Sequence, residues 1–283
     1  MFVRADRMLE PPPGSGDHLV GYRWEGFKPL LSTYQGASGR LEDHPLGDID
    51  LTLSKVKTCV GRFDGEDYTP CPRVAEVRGF SQCRECASTW IPIQECVFEP
   101  RCGGEICGCE FCSREHIVYA AFLGRRVKVG MTSSRRLKIR GIEQGADAIA
   151  PLVDCENRME ARRMENALSR KIGIPQRVTQ KQALNAIAHP SVRGEVMTRY
   201  REILARAGEL CSRTDEEVIF LDEYPMERMD SVPRLTPTES AHKGELMGAK
   251  GRFVIYSSNG SLRAVNMSDA VARWTIPSGT PDR

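Results

Sequence analysis

The stretch from His116 to Leu168 reads HIVYAAFLGRRVKVGMTSSRRLKIRGIEQGADAIAPLVDCENRMEARRMENAL, and its pattern decides the fold around it. Two short runs rich in β-branched and aromatic residues, His116–Phe122 and Arg126–Met131, flank Leu123-Gly124-Arg125. That spacing predicts a β-hairpin. Thr132 and Ser133 are placed to cap a following helix, in which Leu137, Ile139 and Ile142 sit among Arg135, Arg136, Lys138 and Arg140. Gly145 supplies the stop, because glycine takes the left-handed conformation of a C′ residue without strain. Gly130 reads as a tight exit from strand to helix. A third strand, Ala148–Val153, and a second helix, Arg158–Ile172, complete a β-β-α-β-α unit.

The chain has 283 residues, enough for one large domain or two to three small ones. Its 40 Lys and Arg against 38 Asp and Glu leave no global basic field, so contact with nucleic acid must use a local patch. No apolar run reaches the length of a membrane span, and the start MFVRADRMLEPPPGSG lacks the apolar core of a secretion signal. The expectation is a cytoplasmic protein without membrane contact. Nine of the 11 cysteines fall between Cys59 and Cys112. Reduced cytosolic thiols clustered in this way point to metal before disulfides.

Two cysteine groups follow from spacing. Cys83 and Cys86 form a Cys-x2-Cys knuckle, and Cys59 and Cys71 lie at distances suited to closing a tetrahedron around zinc. A closed four-cysteine site of this kind holds a loop that lacks a core and does no chemistry. Iron is not excluded, although the tight repeated spacing of ferredoxins is missing. For a second zinc, Cys96, Cys102, Cys107 and Cys112 are the expected ligands, with Cys109 a substitute and His116 near enough to take part.

The remaining segments divide as a flexible leader over 1–17, an amino-terminal β region over 18–58, the cysteine-rich module over 59–115, the central unit with added helices over 116–212, a linker over 213–243 and a β-hairpin module over 244–283. Within them, Leu19–Trp24, Pro29–Tyr34 and Ile49–Leu53 read as strands, and Lys181–Ala188 and Ser191–Cys211 as helices. Val218–Asp222 reads as a further strand. Phe253–Tyr256 and Leu262–Val265 flank Ser258-Asn259-Gly260, a strong hairpin signal because Asn-Gly tolerates positive φ; whether this second β module joins the amino-terminal strands in one sheet is left open by sequence alone. The fold class is therefore α+β, a β-β-α-β-α core with a zinc module and small flanking β regions.

The order of the central unit resembles the GIY-YIG nuclease domain. Tyr119 in Ile117-Val118-Tyr119 matches the Tyr that closes the family's first motif, and Gly130 in Lys128-Val129-Gly130 matches the Gly that ends its second. Arg136 or Arg140 matches the Arg of the first helix, and Glu165 the metal-binding Glu of the second. Two positions depart: Ile117 stands for the first Gly and Lys128 for the second Tyr, the latter resembling a phage-associated branch that carries Lys there. The resemblance covers roughly a fifth of the chain. The whole arrangement also resembles a prokaryotic family of unknown function, marked by Cys59-Val60-Gly61, Cys71-Pro72, Cys83 with Cys86, Val118-Tyr119-Ala120, Lys128-Val129-Gly130 and Glu143-Gln144-Gly145-Ala146.

The nuclease resemblance implies phosphodiester hydrolysis of DNA or RNA. Tyr119 would generate or orient the attacking water, Glu165 would hold Mg²⁺ or Mn²⁺, Arg136 or Arg140 would bind the phosphate, and Lys128 would add a second positive charge. A competing reading keeps the fold without turnover. In it Arg125, Arg126, Lys128, Arg135, Arg136, Lys138 and Arg140 form a nucleic-acid-binding stretch beside the zinc knuckles. A third reading is a redox-responsive thiol at Cys109 or Cys155.

Overall fold

The computed structural model describes residues 16–65, 67–87, 91, 94–106, 108–211 and 218–277. Most of the expected leader, and Cys107, lie outside them. The chain opens with β1 (Asp17–Glu25), β2 (Lys28–Gln35), β3 (Arg40–Pro45), β4 (Ile49–Thr52), β5 (Arg62–Asp64) and β6 (Asp67–Thr69). A four-residue helix, α1 (Glu110–Ser113), precedes the hairpin β7 (His116–Leu123) and β8 (Arg126–Ser133). Next come α2 (Leu137–Gln144), β9 (Ala148–Cys155), α3 (Arg158–Ile172), α4 (Gln180–Ala188), α5 (Arg193–Ala207) and β10 (Ile219–Phe220). The last elements are β11 (Arg234–Leu235), β12 (Ala241–Lys250), β13 (Phe253–Ser258), β14 (Ser261–Asn266) and α6 (Met267–Ala270).

Two compact units result. One comprises residues 89–224 and 228–232; the other comprises 1–88, 225–227 and 233–283. In the first, an antiparallel sheet runs in the order β10-β9-β7-β8. All eight residues of β7 are buried, as its central place between two strands and under helices requires. Val118, Ala120 and Phe122 join a core with Leu168 and Ile172 of α3 and Val196 and Tyr200 of α5. Each such aliphatic or aromatic side chain contributes about 1.5–3 kcal/mol by leaving water.

The register of β7 against β9 slips between Val118 and Tyr119, which face Val153 and Pro151. Pro151 has no N–H to give the ladder, and proline inside a sheet settles at such irregularities. Helix α2 ends at Gly145, whose φ of 69° is the left-handed stop expected from sequence. Its start differs. β8 continues to Ser133 and a 3-10 turn over Ser134–Arg136 intervenes, so neither Thr132 nor Ser133 caps α2. Gly130 is therefore no exit from the strand but lies inside β8, directly across from Tyr119.

In the other unit, β1, β2 and β3 form a meander, and β11-β14-β13-β12-β4 form a five-stranded sheet. Asn259 and Gly260 have φ of 50° and 72°, and they turn β13 into β14 as the Asn-Gly pair predicts. Two expectations need correction. Residues 233–243 are not linker, because β11 pairs with β14 and the start of β12 pairs with β4. That part of the sheet is anchored by buried polar groups, His242, Thr236 and Thr238, which carry no apolar alternation to read. The boundary that sets 18–58 apart from 244–283 is the second, because the two β regions share one unit through the same β4–β12 pairing, the joining that sequence leaves open.

Candidate functional site

Cys59, Cys71, Cys83 and Cys86 are all buried, and their sulfurs lie within 4.8 Å of one another. The local chain explains the convergence. Gly61 has φ of 82°, and a side chain there would begin 2.4 Å from the Thr69 carbonyl oxygen. Only glycine therefore permits the chain after Cys59 to pass so close to the chain before Cys71. The backbone N–H groups of Gly61 and Cys83 donate to Cys59 Sγ at 3.4 and 3.2 Å. Gln82 Nε2 donates to the carbonyls of Gly61 and Cys86, both at 2.8 Å, and ties the two ends of the loop.

Burial pushes the thiols of Cys59 and Cys86 up; at Cys83 burial also pushes up, but hydrogen bonds from Cys86, Cys59 and Glu85 together outweigh it and leave that thiol lowered. Four sulfurs so close cannot all ionise without a cation, and a divalent ion supplies the missing charge. The donor set is soft and four-fold, and fits a metal such as zinc. Among the described residues this is the group of Cys, His and carboxylate side chains that satisfies that proximity.

Cys96, Cys102, Cys109 and Cys112 are each buried, and Cys107 lies outside the described residues. The start of α3 meets this region. Arg158 donates to the carbonyls of Cys96 and Val97 at 2.6 and 2.7 Å and to Cys112 Sγ at 3.6 Å. His116 Nδ1 faces the Arg114 carbonyl at 2.8 Å, while its Nε2 is buried and has no hydrogen-bond partner among the described residues. Burial pushes the Cys155 thiol up to about 12, with Glu160 and Asp154 adding to the effect. A reactive thiol needs the opposite environment.

A second cluster forms around Tyr119, which is 1 % exposed. Its hydroxyl accepts a hydrogen bond from Gln144 Nε2 of α2 at 2.6 Å. Gly130 opposite makes room for it, since a Cβ there would meet the Tyr119 hydroxyl at 2.5 Å. Burial raises the phenol's pKa, Arg140 and Gln144 partly offset this, and Glu165 adds to it. The hydroxyl is therefore protonated at neutral pH.

Of the two candidate arginines, Arg140 is the one that reaches Tyr119 electrostatically. Arg136 is exposed and paired to Glu143 at 2.5 Å, and Arg140 also touches Glu143 at 3.3 Å. Glu165 is 4 % exposed, and burial raises its pKa against the pull of Arg162 and Lys128. Arg162 Nη1 donates to Glu165 Oε2 at 2.5 Å, while its Nε lies 3.2 Å from Glu99 and its Nη2 donates to the Phe98 carbonyl at 2.7 Å.

The basic stretch is split. Arg125 and Arg126 are exposed at the β7–β8 turn, whereas Arg135 and Lys138 are exposed beyond the other end of β8. Eight residues of strand separate them by about 24 Å. Gln144 escaped the sequence reading as a site neighbour, although it stands in the Glu143-Gln144-Gly145-Ala146 mark, whereas the i,i+3 spacing already offers Arg162 as a partner of Glu165. No described helix is long and apolar enough to cross a membrane.

A family model described as protein of unknown function (DUF2797) matches residues 47–272, most of the chain, and the chain belongs to that family. No curated protein and no solved structure matches it.

Proposed function

We propose, starting from membership of a family without an assigned reaction, that this chain acts on nucleic acid by hydrolysing a phosphodiester at the Tyr119–Arg140–Glu165 cluster. One observation carries the reading: the guanidinium of Arg140 from α2 and the carboxylate of Glu165 from α3 both act electrostatically on the Tyr119 phenol of β7, although the three are separated in sequence. They are the residue types and positions that the GIY-YIG resemblance implies. The order β9-β7-β8, with helices after β8 and β9, supports it too.

In this reading Tyr119 acts as a donor. Its oxygen already accepts from Gln144, so its own proton is left to orient the attacking water or a phosphate oxygen. Arg140 binds the phosphate through its planar fork, and Lys128, which acts on Glu165 electrostatically, adds a second positive charge. Glu165 would hold Mg²⁺ or Mn²⁺, ions that commonly take one carboxylate together with substrate phosphates. Such an ion supplies charge to the phosphate and lowers the pKa of bound water. Arg162 must then release Glu165 Oε2, and it retains Glu99 and the Phe98 carbonyl as partners. At the four-cysteine centre we assign a structural zinc, since four thiolates leave no open position.

The Arg162–Glu165 bridge itself favours a second reading, a zinc-containing nucleic-acid-binding protein without turnover. The two separate under one assay: cleavage of labelled single-stranded and duplex DNA and RNA with Mg²⁺ or Mn²⁺, by wild type and by Glu165→Gln. Cutting lost in the variant supports hydrolysis. Binding without cutting by either protein supports the second reading, and equal cutting by both overturns the site.

A further inference from the structure

A cavity of about 240 Å³ opens beside the cysteine centre, walled by His18, Tyr34, Tyr68 and Trp274 and reaching Cys59 and Val74. The reading above gives it no role. Its walls are aromatic and held in place. His18 lies flat on Trp274, centroids 4.5 Å apart and planes within 7°. The Trp274 Nε1 donates to Thr58 Oγ1 at 2.9 Å, and the same hydroxyl faces His18 Nε2 at 3.1 Å. Tyr34 and Tyr68 are half-buried, with centroids 5.3 Å apart and a tilt of 51°. Two rings splayed in that way leave part of each face uncovered. Phe63, 39 % exposed, packs on Tyr68 at 4.9 Å and extends the aromatic surface to solvent.

Two further features select a ligand. No Lys or Arg is among the described lining residues, whereas Cys59 and Cys71 of the four-thiolate centre are, so an anionic ligand would lose its hydration without gaining a counter-charge. Val74 also lines the cavity at φ of 44°, a left-handed conformation that costs a β-branched residue strain. Backbone held in such regions clusters where a site must be pre-shaped. An alkylammonium would need several ring faces turned on one point. Here His18 and Trp274 cover each other. A flat, neutral heteroaromatic ring instead stacks on an open tyrosine face, and the phenol hydroxyls are at hand for its polar edge.

We propose that this cavity is a nucleobase pocket, in which one unpaired base stacks on Tyr34 and Tyr68. The source of the base is a single strand or a free nucleoside. The proposal goes beyond the Tyr119 cluster and does not require turnover; only the strand-borne source rests on the nucleic-acid reading.

The test uses the full chain carrying Glu165→Gln, so that no strand is cut. One arm titrates adenosine, followed by calorimetry. The other titrates a single-stranded oligonucleotide bearing 2-aminopurine, followed by quenching of its fluorescence, with the matching duplex as control. Tyr34→Leu is expected to weaken binding about tenfold, and Tyr34→Phe to keep it within about twofold, since phenylalanine preserves the stacking face. Zinc content and near-ultraviolet circular dichroism check the fold, and Tyr68→Leu replaces Tyr34→Leu if the latter does not fold. Binding of adenosine with the tyrosine dependence assigns a free nucleoside, and binding of the single strand alone assigns a strand. No binding in either arm, or binding unmoved by the folded leucine variant, overturns the pocket. Wild-type cutting, measured separately, reports on the Tyr119 cluster whatever the outcome here.

Discussion

Tyr119 keeps its place because the residue across the hairpin has no side chain. At Gly130 a methyl group would sit 2.5 Å from the Tyr119 hydroxyl and 2.6 Å from its Cζ, inside any van der Waals contact. Gly130→Ala is therefore expected to cost about 1–3 kcal/mol of stability, the usual penalty of overpacking, and to abolish cleavage by expelling the ring. Tyr119→Phe is expected to abolish cleavage while melting close to wild type. Thermal melting and the cleavage assay, run on both, check the pair. An alanine variant as stable and active as wild type would mean the hydroxyl is elsewhere. His18 gives a prediction of a different kind. Burial holds its pKa at about 4, down from 6.5, so between those values the unfolded chain binds more protons. The stability this neutral imidazole contributes is complete above pH 6.5 and is lost as pH falls towards 4, up to about 3 kcal/mol in all. His242, also buried and lowered, works in the same direction. Urea midpoints at pH 7.5 and 5 are expected to fall further for wild type than for His18→Gln. Identical slopes would remove His18 from the acid sensitivity. Sequence alone named Tyr119 and Glu165 through motif positions, and left Arg136 and Arg140 open. The three-residue helix spacing does offer Arg162 as a partner of Glu165, but that spacing is equally common for solvated pairs, so sequence does not fix the bridge.

Elements were legible where local chemistry forces them. Gly145 stops α2 and Asn259-Gly260 turns β13 into β14, since few other residues take positive φ. Helix α3 is bounded by caps of the same local kind. Asn157 accepts from Glu160 N–H at 2.9 Å, and Gly173 ends the helix at φ of 68°. What the sequence could not reveal were features made by partners distant along the chain: β3, polar and paired only with β2, and the slipped register at Pro151. The first turn of α3 tests how such distant contacts weigh against local ones. Asn157→Ala removes only a cap and is expected to cost about 1 kcal/mol. Arg158→Met strips a buried guanidinium from the carbonyls of Cys96 and Val97, leaving them unsatisfied, and is expected to cost about 2–5 kcal/mol. Denaturant unfolding of the two variants checks the order, and a larger loss in Asn157→Ala would reverse it.

At the scale of the molecule, charge balance and cysteine clustering said most. With 40 basic and 38 acidic residues no global field attracts nucleic acid, and the arginines that seemed one stretch in sequence lie at opposite ends of a strand. Chain order, by contrast, left the organisation open: the amino- and carboxy-terminal β regions fold into one unit through a non-local pairing that composition does not encode. That organisation fixes what metal removal should do. The four-cysteine centre belongs to the unit built from the two ends of the chain, where its sulfurs are part of a core with Val20, Val60, Ala75, Val77 and Ala272. Helices α2 to α5 belong to the other unit, which has a core of its own. A domain with its own core keeps its structure when another loses it. Removing zinc with a strong chelator is therefore expected to release at least one equivalent per chain and to collapse the near-ultraviolet signal of Trp274, Tyr34 and Tyr68. Ellipticity at 222 nm should fall much less, because those helices hold most of the helical residues. Returning zinc should restore the aromatic signal, since binding energy at such a site is folding energy. A parallel, complete loss of both signals would show that the helical unit does not stand on its own core, and no change in either would show that the cysteines need no metal.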